Sequence, residues 1–117
     1  FSRQIERETY RQWLVDFLRD KYAILITARP IRYKEQTLAR IFSQTNWQPK
    51  ESYFAEISAT HPEIKKGLLL RYIFPKHGKN GEDFFGIESN PKTRAMYERY
   101  GIKSLSEKDF RNIVNLR

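Results

Sequence analysis

The chain has 117 residues, of which 39% are hydrophobic and 15% aromatic, enough for one domain with a packed core and too few for two. It has no cysteine, which excludes a disulfide framework and any thiolate metal site, and no apolar run approaches the roughly 20 residues of a membrane span. The formal net charge of +8 favours acidic partners such as nucleic acid or phosphate esters, although the basic residues are scattered and form no polybasic tail. No signal peptide is legible, so the expectation is a cytoplasmic protein without a membrane anchor.

The segment Gln4 to Asp20 carries Ile5, Tyr10, Trp13, Leu14, Phe17 and Leu18 at helical spacing, which predicts one long amphipathic helix. Tyr22-Ala23-Ile24-Leu25-Ile26 then reads as a buried strand, closed by Thr27-Ala28-Arg29-Pro30, where the proline blocks further pairing. A second helix is predicted over Tyr33 to Gln44 with Leu38, Ile41 and Phe42 inward. Tyr53-Phe54-Ala55-Glu56-Ile57 is a short second strand. A third helix starts near His61 or Pro62, with Ile64, Leu68, Leu69, Tyr72 and Ile73 as its apolar stripe. Lys76 to Gly81 has the composition of a flexible turn. Asp83 to Ile87 is a third strand. Pro91 opens a fourth helix that Gly101 ends as a left-handed cap, and Ile102 begins a brief fourth strand. Ser106-Glu107-Lys108-Asp109 resembles a capping box for a last helix bearing Phe110, Ile113, Val114 and Leu116.

Helix and strand thus alternate, and the alternation begins on a helix. The predicted fold is a single α/β domain over residues 1–117: three layers, α/β/α, Rossmann-like, with a mostly parallel sheet. In such folds the carboxyl ends of the strands carry the chemistry. Three of those ends are polar here: Thr27-Ala28-Arg29, Glu56, and Glu88-Ser89-Asn90.

Two of these strand ends carry a family likeness. Ile24-Leu25-Ile26-Thr27-Ala28-Arg29-Pro30 resembles the second motif of haloacid dehalogenase-like (HAD-like) phosphohydrolases, an apolar strand ending in Ser or Thr. Phe84-Phe85-Gly86-Ile87-Glu88-Ser89-Asn90-Pro91 is similar to their fourth motif, an apolar strand ending in acids and often followed by Asn-Pro. Lys65 or Lys66 stands where the family places its third-motif lysine, with Lys66 slightly preferred. The likeness covers nearly the whole chain in order and spacing.

The resemblance implies a phosphatase site. Thr27 and Lys66 or Lys65 would stabilise the transferring phosphoryl group, Arg29, Ala28 and Asn90 would bind substrate, and Glu88 with Ser89 would help hold Mg²⁺. It also implies a first strand in the middle of the sheet, ending in Asp-x-Asp and bearing the nucleophile. No such motif occurs in the chain, and Glu88-Ser89 replaces the commoner pair of aspartates. The expectation is therefore a phosphohydrolase domain inactive as these 117 residues, and a hydrolase only if an upstream Asp-x-Asp strand exists. No separate cap domain is legible, and family members without one take large substrates, so the phosphorylated substrate could be polyanionic.

Each residue also has a plainer role. Thr27 can simply end a strand, Arg29 can pair with an acid, and Ser89 or Asn90 can cap the helix at Pro91. The second functional reading is a degenerate, non-catalytic module of this fold that binds nucleic acid or a protein partner. Arg71, Lys76, His77 and Lys79 would serve it only with aromatic rings displayed beside them. A flavodoxin- or receiver-like domain shares the alternation but accounts less well for Thr27 and the lysine. His61 and His77 lack metal-ligand spacing, and Trp13 and Trp47 read as core or core edge.

Overall fold

Ile24-Leu25-Ile26 forms a strand as expected, but its side chains are half-buried where a buried strand was expected. In the computed structural model, which describes Phe1–Leu116, this run opens β1 (Ile24–Pro30), which pairs in parallel with β2 (Glu51–Ala55). Parallel neighbours need a crossover, and α3 (Lys34–Thr45) provides it. The first turn of the chain is α1 (Ser2–Arg7), followed by α2 (Gln12–Leu18). Further on come α4 (His61–Leu68), α5 (Phe74–His77), β3 (Phe85–Ile87), α6 (Pro91–Arg99), β4 (Lys103–Leu105) and α7 (Glu107–Asn115). β3 and β4 also pair in parallel, across α6.

The α/β character and the alternation are as expected. The chain divides into two compact units, Phe1–Ser58 and Ala59–Arg117, each holding one strand–helix–strand element. The four strands accordingly make two parallel pairs, β1 with β2 and β3 with β4, where one mostly parallel sheet was expected. Ile5, Val15, Ile41, Phe54 and Ala55 are buried in the first unit. In the second, Ile64, Leu68, Leu69, Ile73, Phe74, Met96, Tyr97, Ile102 and Phe110 are buried. No helix among the described residues is long and apolar enough to cross a membrane.

Local signals hold where they are strong. Asn90 caps α6, its Oδ1 accepting from the backbone N–H of Lys92 at 2.9 Å and of Thr93 at 3.3 Å. Ser106 caps α7 through the N–H of Asp109, 3.1 Å away. Gly101 is left-handed, with φ 79°. Gly81 begins a tight turn, Gly81–Asp83, that is capped by Asn80. A β-carbon on Gly81 would collide with the Tyr100 carbonyl and the backbone of Gly101, so only glycine fits there.

Four expectations change. The long first helix is two short ones, because Glu8 and Arg11 are extended and the connecting segment is drawn into side-chain bonds described below. On α3 the buried positions are Thr37, Ile41 and Thr45, four residues apart, while Phe42 is 49% exposed. Thr45 can be buried because its hydroxyl donates to the Ile41 carbonyl at 2.6 Å. The first two strands are shifted in sequence: β1 starts two residues later and runs on through Pro30, and β2 lies at Glu51–Ala55 instead of around Tyr53 to Ile57. The third helix does not stop at Ile73. It passes through a wide π-type turn over Leu69–Ile73 into α5, and the Phe74 N–H reaches back five residues to the Leu69 carbonyl. Pro75 explains the widening, since its ring would crowd the carbonyl four residues before it in a regular α-helix.

Candidate functional site

In the second unit, α4 and the end of β3 bring two of the expected residues together. Thr60 caps α4, and Pro62 and Glu63 occupy the first turn, where a missing N–H and a negative charge are both tolerated. One turn on, the Lys65 ammonium bonds the Glu88 carboxylate in a pair whose side chains are 13% and 7% exposed. Lys66 is exposed, so the helix turns Lys65 toward the acid, not the slightly preferred Lys66. Adjacent helical residues point about 100° apart, which is why only one of the two can take this place.

Glu88 is fixed from several sides. Its N–H donates to the Leu105 carbonyl at 2.9 Å, extending the β3–β4 ladder by one step. Its second carboxylate oxygen accepts from the Asn90 N–H at 3.0 Å. Arg94, one turn into α6, donates to the carbonyls of Glu88 at 2.8 Å and Ser89 at 2.9 Å. Arg94 had no role in the sequence reading; its spacing of six residues from Glu88 across a helix start was the available signal. The cap of α6 is Asn90, which uses its side-chain oxygen for that purpose; Ser89 is exposed and does not cap.

These residues do not by themselves make a Mg²⁺ site. They offer one carboxylate, with one oxygen on the Lys65 ammonium and the other on a backbone N–H. Mg²⁺ takes six oxygen ligands in a strict octahedron, and a carboxylate already neutralised by an ammonium is a poor start. No group of three His, Asp or Glu side chains gathers for a metal among the described residues.

In the first unit, Thr27-Ala28-Arg29 falls where the β1–β2 register breaks. Ile26 faces Tyr53 and Pro30 faces Ala55, so β1 spends two more residues than β2 over the same span. Such bulges re-aim side chains. The Thr27 hydroxyl oxygen accepts from the Arg29 N–H at 3.1 Å, closing a local turn. Arg29 extends its guanidinium to Glu8, with Nη1–Oε1 at 3.0 Å and Nη2–Oε2 at 2.5 Å, and Nη1 also donates to the Thr37 hydroxyl at 3.0 Å. Tyr10 donates its hydroxyl proton to Glu8 at 3.0 Å, and Arg40 Nε donates to the Glu8 backbone carbonyl at 3.1 Å. Arg29 therefore has an internal partner in place of an open face, the plainer of its two expected roles.

The Arg29 bond holds the Glu8 carboxyl below its ordinary value of 4.5, against an opposing effect of burial. Burial, then the Glu8 charge beside it, pushes the Tyr10 phenol up to about 12. A depressed carboxylate adds stability that is complete above its unfolded value and disappears as pH falls through the folded one. The advantage of the wild type over Glu8→Gln is thus expected to be full at neutral pH, to shrink below about pH 4.5, and to vanish in stronger acid. Urea midpoints of both proteins across pH 2 to 7 measure it; an advantage that persisted unchanged into acid would show that the carboxylate charge is not the source.

Thr27, Ala28 and Arg29 thus belong to the first unit, and Lys65, Lys66, Glu88, Ser89 and Asn90 to the second. His61 is exposed at the start of α4, and His77 is half-buried at the end of α5. No protein-family model matches the chain, and no curated protein or solved structure matches it.

Proposed function

We propose that the chain is the supporting part of a HAD-like phosphohydrolase domain for phosphate esters, in a three-layer α/β/α arrangement. The observation that carries this is the Lys65–Glu88 pair: a lysine from the first turns of a helix, bonded to the acid at the carboxyl end of the next strand, followed by Asn-Pro. The strand pairing agrees with it. A family sheet has its first strand in the middle, so a chain without that strand is expected to pair its strands two and two.

In this reading the second unit supplies Lys65, an ammonium suited to offset the charge on a transferring phosphoryl group, and the Thr27 hydroxyl at the β1 bulge of the first unit is, by itself, a donor suited to a phosphoryl oxygen. Glu88 holds the ammonium in position and Arg94 holds Glu88. Any Mg²⁺ would have to share Glu88 with Lys65, so metal binding by these residues is weak.

The nucleophile is not among the 117 residues. The chain is therefore expected to give no phosphatase turnover with an aryl phosphate and Mg²⁺; turnover that Thr27→Ala abolishes would overturn the assignment of a supporting part. The enzyme reading requires an apolar strand ending in Asp-x-Asp from outside these 117 residues; supplying such a strand in trans is expected to give turnover, and no turnover would leave the non-catalytic module.

One observation favours that module. Arg71, Lys76 and Lys79 are exposed, and Tyr72, in the same helical stretch, shows 37% of its surface; exposed cations and rings are the groups that single-stranded nucleic acid uses. Binding to generic single-stranded DNA that falls steeply with salt would support it.

A further inference from the structure

Asn80 stands directly before Gly81, and that pair carries a reaction of its own. The backbone nitrogen that follows an asparagine can attack the side-chain amide carbon and close a five-membered ring. A bulky residue after the asparagine blocks this approach, whereas glycine leaves it open. The other asparagines are shielded. Asn46, Asn112 and Asn115 precede Trp47, Ile113 and Leu116, and Asn90 precedes Pro91, whose nitrogen has no proton to lose.

The structure prepares Asn80 further. Asn80 is exposed, ahead of the tight turn Gly81–Asp83. Its Oδ1 accepts from the Glu82 N–H at 3.2 Å, which folds the side chain back along the backbone toward the Gly81 nitrogen. The same N–H is placed to stabilise the negative charge that Oδ1 takes on during attack. Gly81 opens the turn, so its own N–H has no partner within it. Ring closure needs a rotation about the Asn80 Cα–C bond, which stands at ψ 105°. Gly81 does not absorb that rotation, because it lies against the backbone of Tyr100 and Gly101. The upstream side does: Lys79 is exposed, and Gly78 has open space around its α-carbon.

We propose that Asn80–Gly81 is a site of spontaneous covalent modification, an ageing switch built into the second unit. A base removes the Gly81 amide proton, and the nitrogen forms a bond to the Asn80 side-chain carbon. The bond from that carbon to Nδ2 breaks, and the group leaves as ammonia with a proton from water. Water then opens the ring at either carbonyl. Opening at the side-chain carbonyl gives aspartate; opening at the backbone carbonyl gives isoaspartate, with an extra carbon in the main chain. Water is consumed, ammonia is released, and nothing is oxidised or reduced. Aspartate keeps an oxygen on the Glu82 N–H and so keeps the cap. Isoaspartate displaces Gly81 where Tyr100 and Gly101 leave no room, and so loosens the entry to β4. The proposal rests on this turn alone and is independent of the phosphohydrolase reading.

The whole folded chain is incubated at neutral and mildly alkaline pH and followed by ammonia release and peptide mapping. An enzyme that methylates isoaspartyl carboxylates labels that product. Ammonia is expected from Asn80 ahead of every other asparagine, at a rate that rises with hydroxide, and the label is expected on the peptide spanning 79–83. Asn80→Gln, whose ring would be one atom larger, is expected to lose the label. Earlier release from Asn46, Asn112 or Asn115 would overturn the proposal. So would a folded chain that stays inert while the same chain in urea reacts at Asn80. Asn80→Asp, made directly, separates the two products: it is expected to melt with the fresh wild type, while the aged isoaspartyl chain melts lower. Equal melting of the aged and fresh chains would overturn the switch.

Discussion

Glu88→Ala is expected to destabilise the chain by about 3 kcal/mol, because it leaves the Lys65 ammonium buried without its counter-charge. It also strips the Asn90 N–H of its acceptor at the entrance to α6. The pair itself need not be a large source of stability, since desolvating two charges offsets most of their attraction. Lys65→Met combined with Glu88→Leu is therefore expected to recover most of what the single change loses. Urea unfolding of the wild type, the single variant and the double variant measures both. A loss under about 1 kcal/mol for Glu88→Ala would mean that water reaches the pair and screens it. Recovery in the double variant carries a functional lesson: an apolar pair would serve the fold as well, so the charged pair is kept for something other than stability.

Gly81→Ala is the second large effect, expected to cost about 3 kcal/mol. The new methyl group meets backbone at Tyr100 and Gly101, which cannot rotate aside as a side-chain end would. The loop that carries Gly101 also carries the left-handed cap of α6, so relief there would disturb the entry to β4. Gly78→Ala makes the internal control. Gly78 has φ 93° and ψ 167°, a region essentially reserved for glycine, with open space around its α-carbon, so alanine there brings backbone strain of about 1–3 kcal/mol and no collision. Thermal unfolding of the two variants side by side separates collision from strain; equal losses would show that the Gly81 turn yields.

The elements that were legible in the sequence are those fixed by local chemistry. Asn90 with Pro91, Ser106 with Asp109, and Gly101 each satisfy backbone groups within a few residues of themselves, so spacing alone locates them. The failures have tertiary causes. Nothing between Gln4 and Asp20 forbids one continuous helix; the break follows from Arg29, twenty-one residues away, which draws Glu8 into an extended link. On α3 an apolar stripe through Phe42 was the natural reading, yet threonines are buried because Arg29 and the Ile41 carbonyl satisfy their hydroxyls. The choice between Lys65 and Lys66 depended on the rotational setting of α4 against the end of β3, which periodicity leaves open. The polar strand ends were recognised as candidates, but their partners Glu8 and Arg94 were not, since each acts from a neighbouring element.

The wide turn over Leu69–Ile73 ties the length of its helix to one side chain. Deleting the exposed Leu70 would convert the Phe74–Leu69 bond into an ordinary α-helical one and spare the buried residues on either side. It would also restore the crowding between Pro75 and the carbonyl four residues earlier. Loss of a residue here and replacement of Pro75 must therefore go together, so insertions and deletions in this helix are expected to co-occur with changes at position 75.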